Sequence, residues 1–135
     1  MWDRMFQPLD VIGKGLEASW MRNAVIRNNI ANVETPNFKA SQLEFESIFA
    51  RAFSEAGFVG TRTHDGHRNF GSGHFDSIRP RITQQRGLSM RMDGNNVDIE
   101  SENVRLAENS LFYNTLVEKL NGEIRRLRMA ISEGR

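Results

Sequence analysis

Three histidines and two aspartates are the residues of this sequence whose chemistry could hold a metal ion. His64, His67 and His74 lie close to Asp65 and Asp76, and imidazole and carboxylate groups are common ligands of zinc. Their spacing does not place a pair on one helical face, and the surrounding glycines provide no rigid support for a coordination shell. We therefore expect solvated loop residues here, with no metal site and no cofactor.

A second possible ion site is the acidic segment Asp93-Gly94-Asn95-Asn96-Val97-Asp98, which superficially resembles a calcium-binding loop. An EF-hand loop has a glycine at its sixth position and a bidentate glutamate at its twelfth. This segment lacks both. The pattern therefore favours a tight turn, followed by a helix whose N-cap is Asp98.

Catalytic chemistry has little other support in the sequence. It contains no glycine-rich phosphate loop after a strand, no G-x-S-x-G motif and no H-E-x-x-H motif. The chain also has no cysteine that could act as a nucleophile. The sequence therefore predicts a protein that is not an enzyme. A small hydrolase that uses the three histidines remains an alternative, which replacing all three with alanine would test.

The charge of the chain predicts no strong attraction to nucleic acid or to an anionic membrane, because the formal net charge is +1. Residues 57–92 are locally basic, with six arginines and two aspartates. Few aromatic residues accompany these arginines, and no helix presents a basic stripe, so we expect no nucleic-acid binding. Two interpretations of this segment stay open: a flexible arm that meets acidic faces of neighbouring subunits, and a solvated loop.

A long amphipathic segment near the C-terminus is the first structural element that the sequence predicts. Apolar residues recur there at alternating spacings of four and three, which is the seam of a helix packed along another helix. Asn103 and Ser110 interrupt the seam, and a second seven-residue row widens the apolar face. The N-cap at Asp98 predicts a helix over residues 98–131. The residues expected at its assembly interface are Leu106, Leu111, Tyr113, Val117, Leu120, Ile124, Leu127 and Ile131.

The first 33 residues repeat the pattern and predict a second long helix. Proline is favoured near a helix start, so regular helix is expected to begin near Pro8. Gly13 and Gly15 each cost about 1 kcal/mol relative to alanine. We therefore expect this helix to be the weaker one, with faster amide exchange than residues 111–131. Its interface residues are predicted to be Leu9, Ile12, Leu16, Ile26, Ile30 and Val33.

Two aromatic or sulfur-containing residues, Trp20 and Met21, lie off the main seam of the N-terminal helix. Large apolar side chains beside a helical seam usually widen the buried face. We therefore expect both side chains to be buried rather than to form a ligand site.

The segment after the first helix is predicted to be a linker followed by a short helix. A residue before proline avoids the α region, so Thr35 is expected to be extended, and Asn37 can adopt a left-handed conformation. Ser41-Gln42-Leu43-Glu44 has the form of a capping box, which predicts a helix from Ser41 to Glu55.

The middle of the chain is rich in glycine and shows no helical period. Leu88, Met90 and Met92 alternate with polar residues, which predicts a short strand within an otherwise irregular segment. The sequence therefore divides into four parts: the N-terminal axial helix 1–33, the linker motif and short helix 34–56, the flexible middle 57–92, and the turn and C-terminal axial helix 93–135.

The predicted fold is mainly α, with the two long terminal helices paired as an antiparallel coiled coil and a small irregular or β region between them. The apolar faces of both helices are wider than a chain of 135 residues with a glycine-rich middle can cover. Exposed apolar stripes of that size mark interaction surfaces, and contacts that do not close on themselves build open helical assemblies. No segment approaches the ~18 apolar residues needed to span a bilayer, and no signal peptide is evident.

Two segments together resemble the bacterial flagellar basal-body rod proteins. Residues 29–40, NIANVETPNFKA, are similar to the N-terminal motif that flagellar rod and hook proteins share. Residues 93–100, DGNNVDIE, followed by ENSLFYN at 108–114, resemble the proximal rod member of that family. Many relatives have glycine in place of Asn37, but both residues tolerate a left-handed turn. The matching motif residues are Asn29, Asn32, Thr35, Pro36, Phe38, Asn95, Asn96, Val97 and Asp98.

This resemblance implies a structural subunit of the flagellar rod without enzymatic activity or cofactor, whose terminal helices assemble into the axial drive shaft that transmits torque. The implied partners are other copies of the chain, other rod proteins, the adaptor between rod and membrane ring, and the flagellar type III export apparatus, which reads no cleaved signal peptide. The implied location is the basal body, in the periplasmic space. The alternative is a soluble helical adaptor that recognises one partner helix.

Overall fold

A computed structural model describes residues 2–56, 78–87, 89 and 91–132. The three histidines considered as metal ligands lie outside these residues. The elements of the described part, in chain order, are α1 Trp2–Ala31, β1 Ser41–Glu44, α2 Glu46–Ala56, β2 Arg81–Gln84 and α3 Ile99–Ser132. The protein is mainly α-helical with long terminal helices, as the sequence predicts. Within the described part, no helix is both long enough and apolar enough to cross a bilayer.

The two terminal helices, α1 and α3, pack against each other as an antiparallel pair. Ser19 in the middle of α1 is hydrogen-bonded to Asn109, and Asn29 near the end of α1 is hydrogen-bonded to Glu102. The later residue of α1 therefore contacts the earlier residue of α3, so the two helices run antiparallel. The predicted antiparallel helix pair is confirmed.

The two glycines of α1 differ in their surroundings. A Cβ atom added to Gly15 would lie 3.1 Å from Cδ1 of Leu116, whereas one added to Gly13 would meet nothing within 4 Å. A contact at that distance is tighter than normal packing, so Gly15 allows α1 and α3 to approach closely. Gly13 has no such packing reason and only weakens the helix.

The start of α1 differs from the prediction. The helix begins at Trp2, so Pro8 lies inside it instead of at its first turn. Proline has no N–H, so the carbonyl of Arg4 lacks its helical hydrogen bond, at a cost of about 3 kcal/mol. The predicted helix start near Pro8 was wrong, because a helix can continue across one proline when only one backbone hydrogen bond is lost.

The segment Ser41–Glu44 forms strand β1 and not the predicted capping box. The strand pairs with β2 in a two-stranded antiparallel sheet, and the side chain of Asn29 accepts from Ser41 N–H at 2.9 Å and donates to Ser41 C=O at 2.8 Å. These partners lie far away in the sequence and form hydrogen bonds with the backbone of Ser41–Glu44. They therefore favour the strand over a local helix cap. The short helix α2 exists as predicted, but it begins at Glu46.

The second strand also lies elsewhere than predicted. It is Arg81–Gln84, which contains the β-branched residues Ile82 and Thr83. Met92 of the predicted alternation lies in a turn and is fully exposed, while Leu88 and Met90 lie outside the described residues. The position of β2 therefore depends on pairing with β1, and the alternation of apolar and polar residues further along the chain does not predict it.

The chain divides into two compact units, residues 1–43 with 82–135, and residues 44–81. In the second unit, the rings of Phe45 and Phe49 lie 5.5 Å apart at the beginning of α2, and Phe49 N–H donates to Phe45 C=O at 2.8 Å. The buried apolar residues of the first unit come mostly from α1; they are Ile12, Ala18, Val25, Ile26, Ala40, Leu43 and Val97. In the described part, α3 contributes no apolar residue to this core.

Candidate assembly interface

A polar junction, which we define as Asn29, Asn32, Asn37, Asn95 and Asn96, connects the end of α1 with the turn before α3. The predicted turns are confirmed at this place. Asn37 has a φ of 61° and Gly94 a φ of 74°, both in the left-handed region that glycine and asparagine tolerate. Asn37 N–H donates to Asp93 C=O at 2.8 Å, so the two turns hold each other.

Asn95 is the centre of the polar junction and is completely buried. Its Nδ2 lies 2.9, 3.0 and 2.9 Å from the carbonyl oxygens of Asn32, Val33 and Thr35, and its Oδ1 accepts from Val97 N–H at 2.8 Å. The last carbonyls of a helix and of the turn after it need partners from outside the helical ladder. Asn95 therefore caps the end of α1 from a distant part of the chain.

Asn96 connects three backbone segments. Its Oδ1 accepts from Ala40 N–H at 2.7 Å, and its Nδ2 donates to Gln85 C=O at 2.9 Å. Beside it, Lys39 Nζ donates to Gly94 C=O at 2.6 Å. The motif residues after α1 and the motif residues before α3 thus form one hydrogen-bonded structure, although they lie far apart in the sequence.

The turn that ends at the polar junction leads directly into α3. Asp98 Oδ1 accepts from Glu100 N–H at 3.1 Å and from Ser101 N–H at 3.4 Å. This arrangement is a helix N-cap, and it satisfies donors that have no partner within α3. The predicted cap at Asp98 is confirmed, and the calcium-loop interpretation of this segment is not needed to explain its acidic residues.

Two polar rungs join α1 to α3 in the interior. In the first, Asn29 Nδ2 lies 3.1 Å from Glu102 Oε2, and Arg105 Nη1 lies 3.0 Å from Glu102 Oε1. Asn29 and Glu102 are both buried, so the carboxylate is paired and hydrogen-bonded, as a buried charge must be. This rung ties α3 to the same asparagine that holds strand β1.

The second rung lies near the middle of the helix pair. Ser19 Oγ lies 3.1 Å from Asn109 Oδ1, and Asn109 Nδ2 donates to Ser19 C=O at 2.8 Å. The sequence pattern placed Asn103 and Ser110 in the seam of α3, but both are exposed. The prediction was wrong by one residue at each position. The true seam has the same seven-residue spacing at Glu102 and Asn109, so the spacing of polar residues does not by itself distinguish the two seams.

The predicted interface residues separate into two groups. One group packs within the chain: Ile12 and Ile26 are buried, and Leu9, Leu16, Ile30, Val33, Leu106, Val117, Leu120 and Leu127 are half-buried. The other group is exposed and consists of Leu111, Tyr113, Ile124 and Ile131. Val104 and Met129 of α3 are exposed as well. The exposed group is therefore the part of α3 that is available to a partner.

An aromatic residue on α1 is exposed, contrary to the prediction. Trp20 was expected to be buried, but 68% of its surface is exposed. It borders a cavity of about 360 Å³ whose other lining residues are Met21, Ala24, Val25, Asn28, Ser41 and Ile82. Trp20 lies in a row of exposed residues at spacings of three and four, opposite the buried seam, and that row is the signal that could have predicted its exposure.

The described residues hold no group of three or more histidine or acidic side chains that could bind a metal ion. The described site is instead built for packing and hydrogen bonding. Its buried polar side chains bind backbone and each other, and several of its exposed side chains are large and apolar.

Comparison with known proteins finds relatives that share one name and align with most of the chain. No family model matches the chain. The chain is 32% identical over 115 residues to the flagellar basal body rod protein FlgB of Bacillus subtilis, which covers 85% of each chain. It is 33% identical over 123 residues to the protein of the same name from Cereibacter sphaeroides, covering 91% of this chain and 92% of the relative. The relative from Borreliella burgdorferi is 32% identical over 80% of this chain and 83% of its own length.

Proposed function

The chain belongs to the FlgB family of flagellar basal body rod proteins, and from that premise we propose that it is a structural subunit that assembles through α1 and α3 into the axial drive shaft of the flagellum. The family membership makes it a component of the flagellar rod. We further propose that the subunit belongs to the proximal part of the rod and that its packed helices transmit torque.

One observation carries this proposal: α3 buries polar residues and exposes apolar ones. Its buried residues within the described part are Glu102 and Asn109. Burying a large apolar side chain contributes about 1.5–3 kcal/mol, so covering the exposed group with neighbouring subunits would strongly favour assembly. The exposed large apolar residues of α3 are Ile99, Val104, Leu111, Phe112, Tyr113, Ile124, Met129 and Ile131.

The two polar rungs support a mechanical role. An apolar seam alone can slide by one turn at modest cost, because hydrophobic contact is not directional. Sliding α3 past α1 would leave Asn29, Glu102 and Asn109 buried without their partners, and each unsatisfied buried group costs about 1–3 kcal/mol. The helix pair is therefore fixed in one register, which is what a subunit needs in order to pass torque along its length.

The proposed partners follow from the family resemblance. They are other copies of the chain, other rod proteins, the adaptor between rod and membrane ring, and the flagellar type III export apparatus. We place the assembled subunit in the periplasmic part of the basal body, exported without a cleaved signal peptide. The subunit acts without catalysis or a cofactor, and it binds no nucleic acid.

The proposal is tested by placing a charge on the exposed apolar residues near the end of α3. Ile124→Asp and Ile131→Asp are each introduced as the only copy in the native bacterium. Because a buried, unpaired carboxylate opposes packing against a neighbour, we expect loss of swimming and basal bodies without this subunit. Circular dichroism of the purified variants should show unchanged helix content.

The matched control is Asn121→Asp, which adds the same charge on the same helix at an exposed position that is already polar. Swimming should persist in this control. Normal swimming with both isoleucine variants would contradict the proposal. A purified chain that saturates with one partner at a fixed stoichiometry, and is absent from basal bodies, would favour the helical adaptor instead.

A further inference from the structure

The outer faces of α1 and α3, which lie opposite their shared seam, differ in shape and in the order of their charges. We propose that the outer face of α1 receives the outer face of α3 from a second copy of this chain, with the two copies side by side and pointing in the same direction. This inference rests on the proposed rod function and specifies which surfaces meet.

The outer face of α1 is concave beside an aromatic anchor. Trp20 is largely exposed, and Ala24 beside it is small, so a side chain from outside can reach the apolar cavity that both residues border. Exposed tryptophans next to apolar pockets are frequent centres of interfaces. This face is formed by exposed residues at alternating spacings of three and four, namely Asp10, Gly13, Glu17, Trp20, Ala24, Arg27 and Ala31.

The outer face of α3 supplies the matching protrusion. Leu111 is 70% exposed, the highest value among the large apolar residues of that face. It is flanked by Glu108 and Thr115, one turn away on either side, and both are exposed. A leucine that projects from a mainly polar surface fits the cavity beside Trp20 as a knob fits a hole.

The charges of the two faces agree with one direction of docking. When the helices lie antiparallel with Leu111 level with Ala24, Arg125 comes level with Asp10, because the spacing from Leu111 to Arg125 equals that from Ala24 to Asp10. The same alignment brings Glu108 level with Arg27. Both pairs have opposite charge. A parallel alignment would place Arg125 beyond the end of α1 and Glu108 level with Met21.

One position of this alignment is unfavourable. Glu118 comes level with Glu17, but Lys14 already lies 3.5 Å from Glu17, and Lys119 is adjacent to Glu118. Exposed ion pairs contribute little affinity and mainly select orientation. The apolar contact of Leu111 with Trp20 and the cavity therefore provides the binding, and the end charges set the direction.

The direction of docking decides the kind of assembly. Within one chain α1 and α3 are antiparallel, so an antiparallel contact between α1 of one copy and α3 of another requires both copies to point the same way. The contact uses two different faces, so each copy keeps one face free for the next. Such heterologous contacts extend without closing into a dimer, as a shaft requires.

Cysteine cross-linking tests this contact, because the natural chain contains no cysteine. Ala24→Cys and Leu111→Cys are introduced singly and together as the only copy in the native bacterium, and isolated basal bodies are treated with a short thiol cross-linker. We expect a ladder of multimers from the double variant and no cross-linked product from either single variant. Dimers from Ala24→Cys alone would overturn the proposal in favour of two α1 faces meeting.

A charge exchange provides the second measurement, which remains decisive if the double-cysteine variant fails to assemble. Asp10→Arg and Arg125→Asp should each reduce swimming, and their combination should restore it. No restoration, or no multimers from a double-cysteine variant that swims normally, would overturn this contact while leaving the rod function intact. Absence of the unmodified chain from basal bodies would instead overturn the rod function itself.

Discussion

The two ends of the helix pair satisfy their interactions in opposite ways. At the end that contains the polar junction, Asn29, Asn95 and Glu102 are buried and hydrogen-bonded within one chain. At the other end, Ile124 and Ile131 of α3 are exposed. At the polar junction the chain therefore completes its directional polar contacts alone, whereas the other end leaves non-directional apolar surface to other molecules.

This difference has a physical reason. A buried polar group requires a partner at a defined distance and angle, and leaving it without one is expensive. Apolar surface tolerates exposure until any complementary surface arrives. We infer that the polar junction is ordered in the free subunit, while the far end of the helix pair gains its full stability only in the assembled rod.

Amide hydrogen exchange provides the largest expected contrast between the two ends. Residues 102–109 of α3 contain both polar rungs, whereas residues 124–132 have mostly exposed side chains. We expect exchange in the free subunit to be roughly a thousandfold slower in 102–109, because local opening at an exposed helix end requires little free energy. The sequence pattern predicted slow exchange over 111–131, and the structure changes that expectation. Equal rates in both segments would contradict the comparison.

Removing the centre of the polar junction should have the largest effect on global stability. Asn95→Ala leaves the carbonyls after α1 and the Val97 N–H without their partner. We expect the free energy of unfolding to fall by about 3 kcal/mol, since several buried groups lose hydrogen bonds together. Urea denaturation measures this loss. Asn114→Ala, at an exposed site on α3, is the control and should change stability by less than about 0.5 kcal/mol.

The middle rung should contribute less than the polar junction. Asn109→Ala removes both hydrogen bonds to Ser19 but leaves fewer groups unsatisfied. We expect a loss of about 1.5 kcal/mol in urea denaturation. Ser110→Ala is the matched control, because Ser110 is exposed and donates to the Leu106 carbonyl of its own helix. A greater loss from the control than from Asn109→Ala would show that the sequence-predicted seam, and not the observed one, is the buried one.

A pair of glycine substitutions tests the closeness of the helices. Gly13→Ala should stabilise the chain by about 1 kcal/mol, since its Cβ would meet open space. Gly15→Ala should lose that gain, because its Cβ would press on Leu116. Thermal unfolding of both variants measures the difference. Equal stabilisation at both positions would mean that Gly15 is not needed for close packing.

Local signals in the sequence predicted much of the fold. The seven-residue spacing of apolar residues predicted both long helices, the short side chain of Asp98 next to acidic residues predicted the N-cap, and Asn37 and Gly94 predicted left-handed turns. Each of these features depends on residues within a few positions of one another. Periodicity and capping therefore suffice to recognise them.

Features that depend on distant residues were not predictable in the same way. Ser41–Glu44 has a helix-cap pattern, yet it is a strand because Asn29 and β2 supply its hydrogen bonds. Periodicity alone does not distinguish Glu102 from Asn103 as the buried neighbour of α1, because the choice depends on a polar partner on the other helix. The exposure of Trp20, by contrast, has a local signal, because its row on α1 contains the charged residues Glu17 and Arg27.

The smallest effect on the free subunit is expected from Ile131→Asp. The side chain is 66% exposed, so a carboxylate there remains solvated and should change the free energy of unfolding by less than about 0.5 kcal/mol. The same substitution should abolish rod assembly, because it places a charge on a surface that a neighbouring subunit would cover. Urea denaturation of the purified chain, compared with recovery of the subunit in basal bodies, separates the two effects. A large loss of stability in the free chain would mean that the far end of the helix pair is already packed before assembly, and the contrast between the two ends would then disappear.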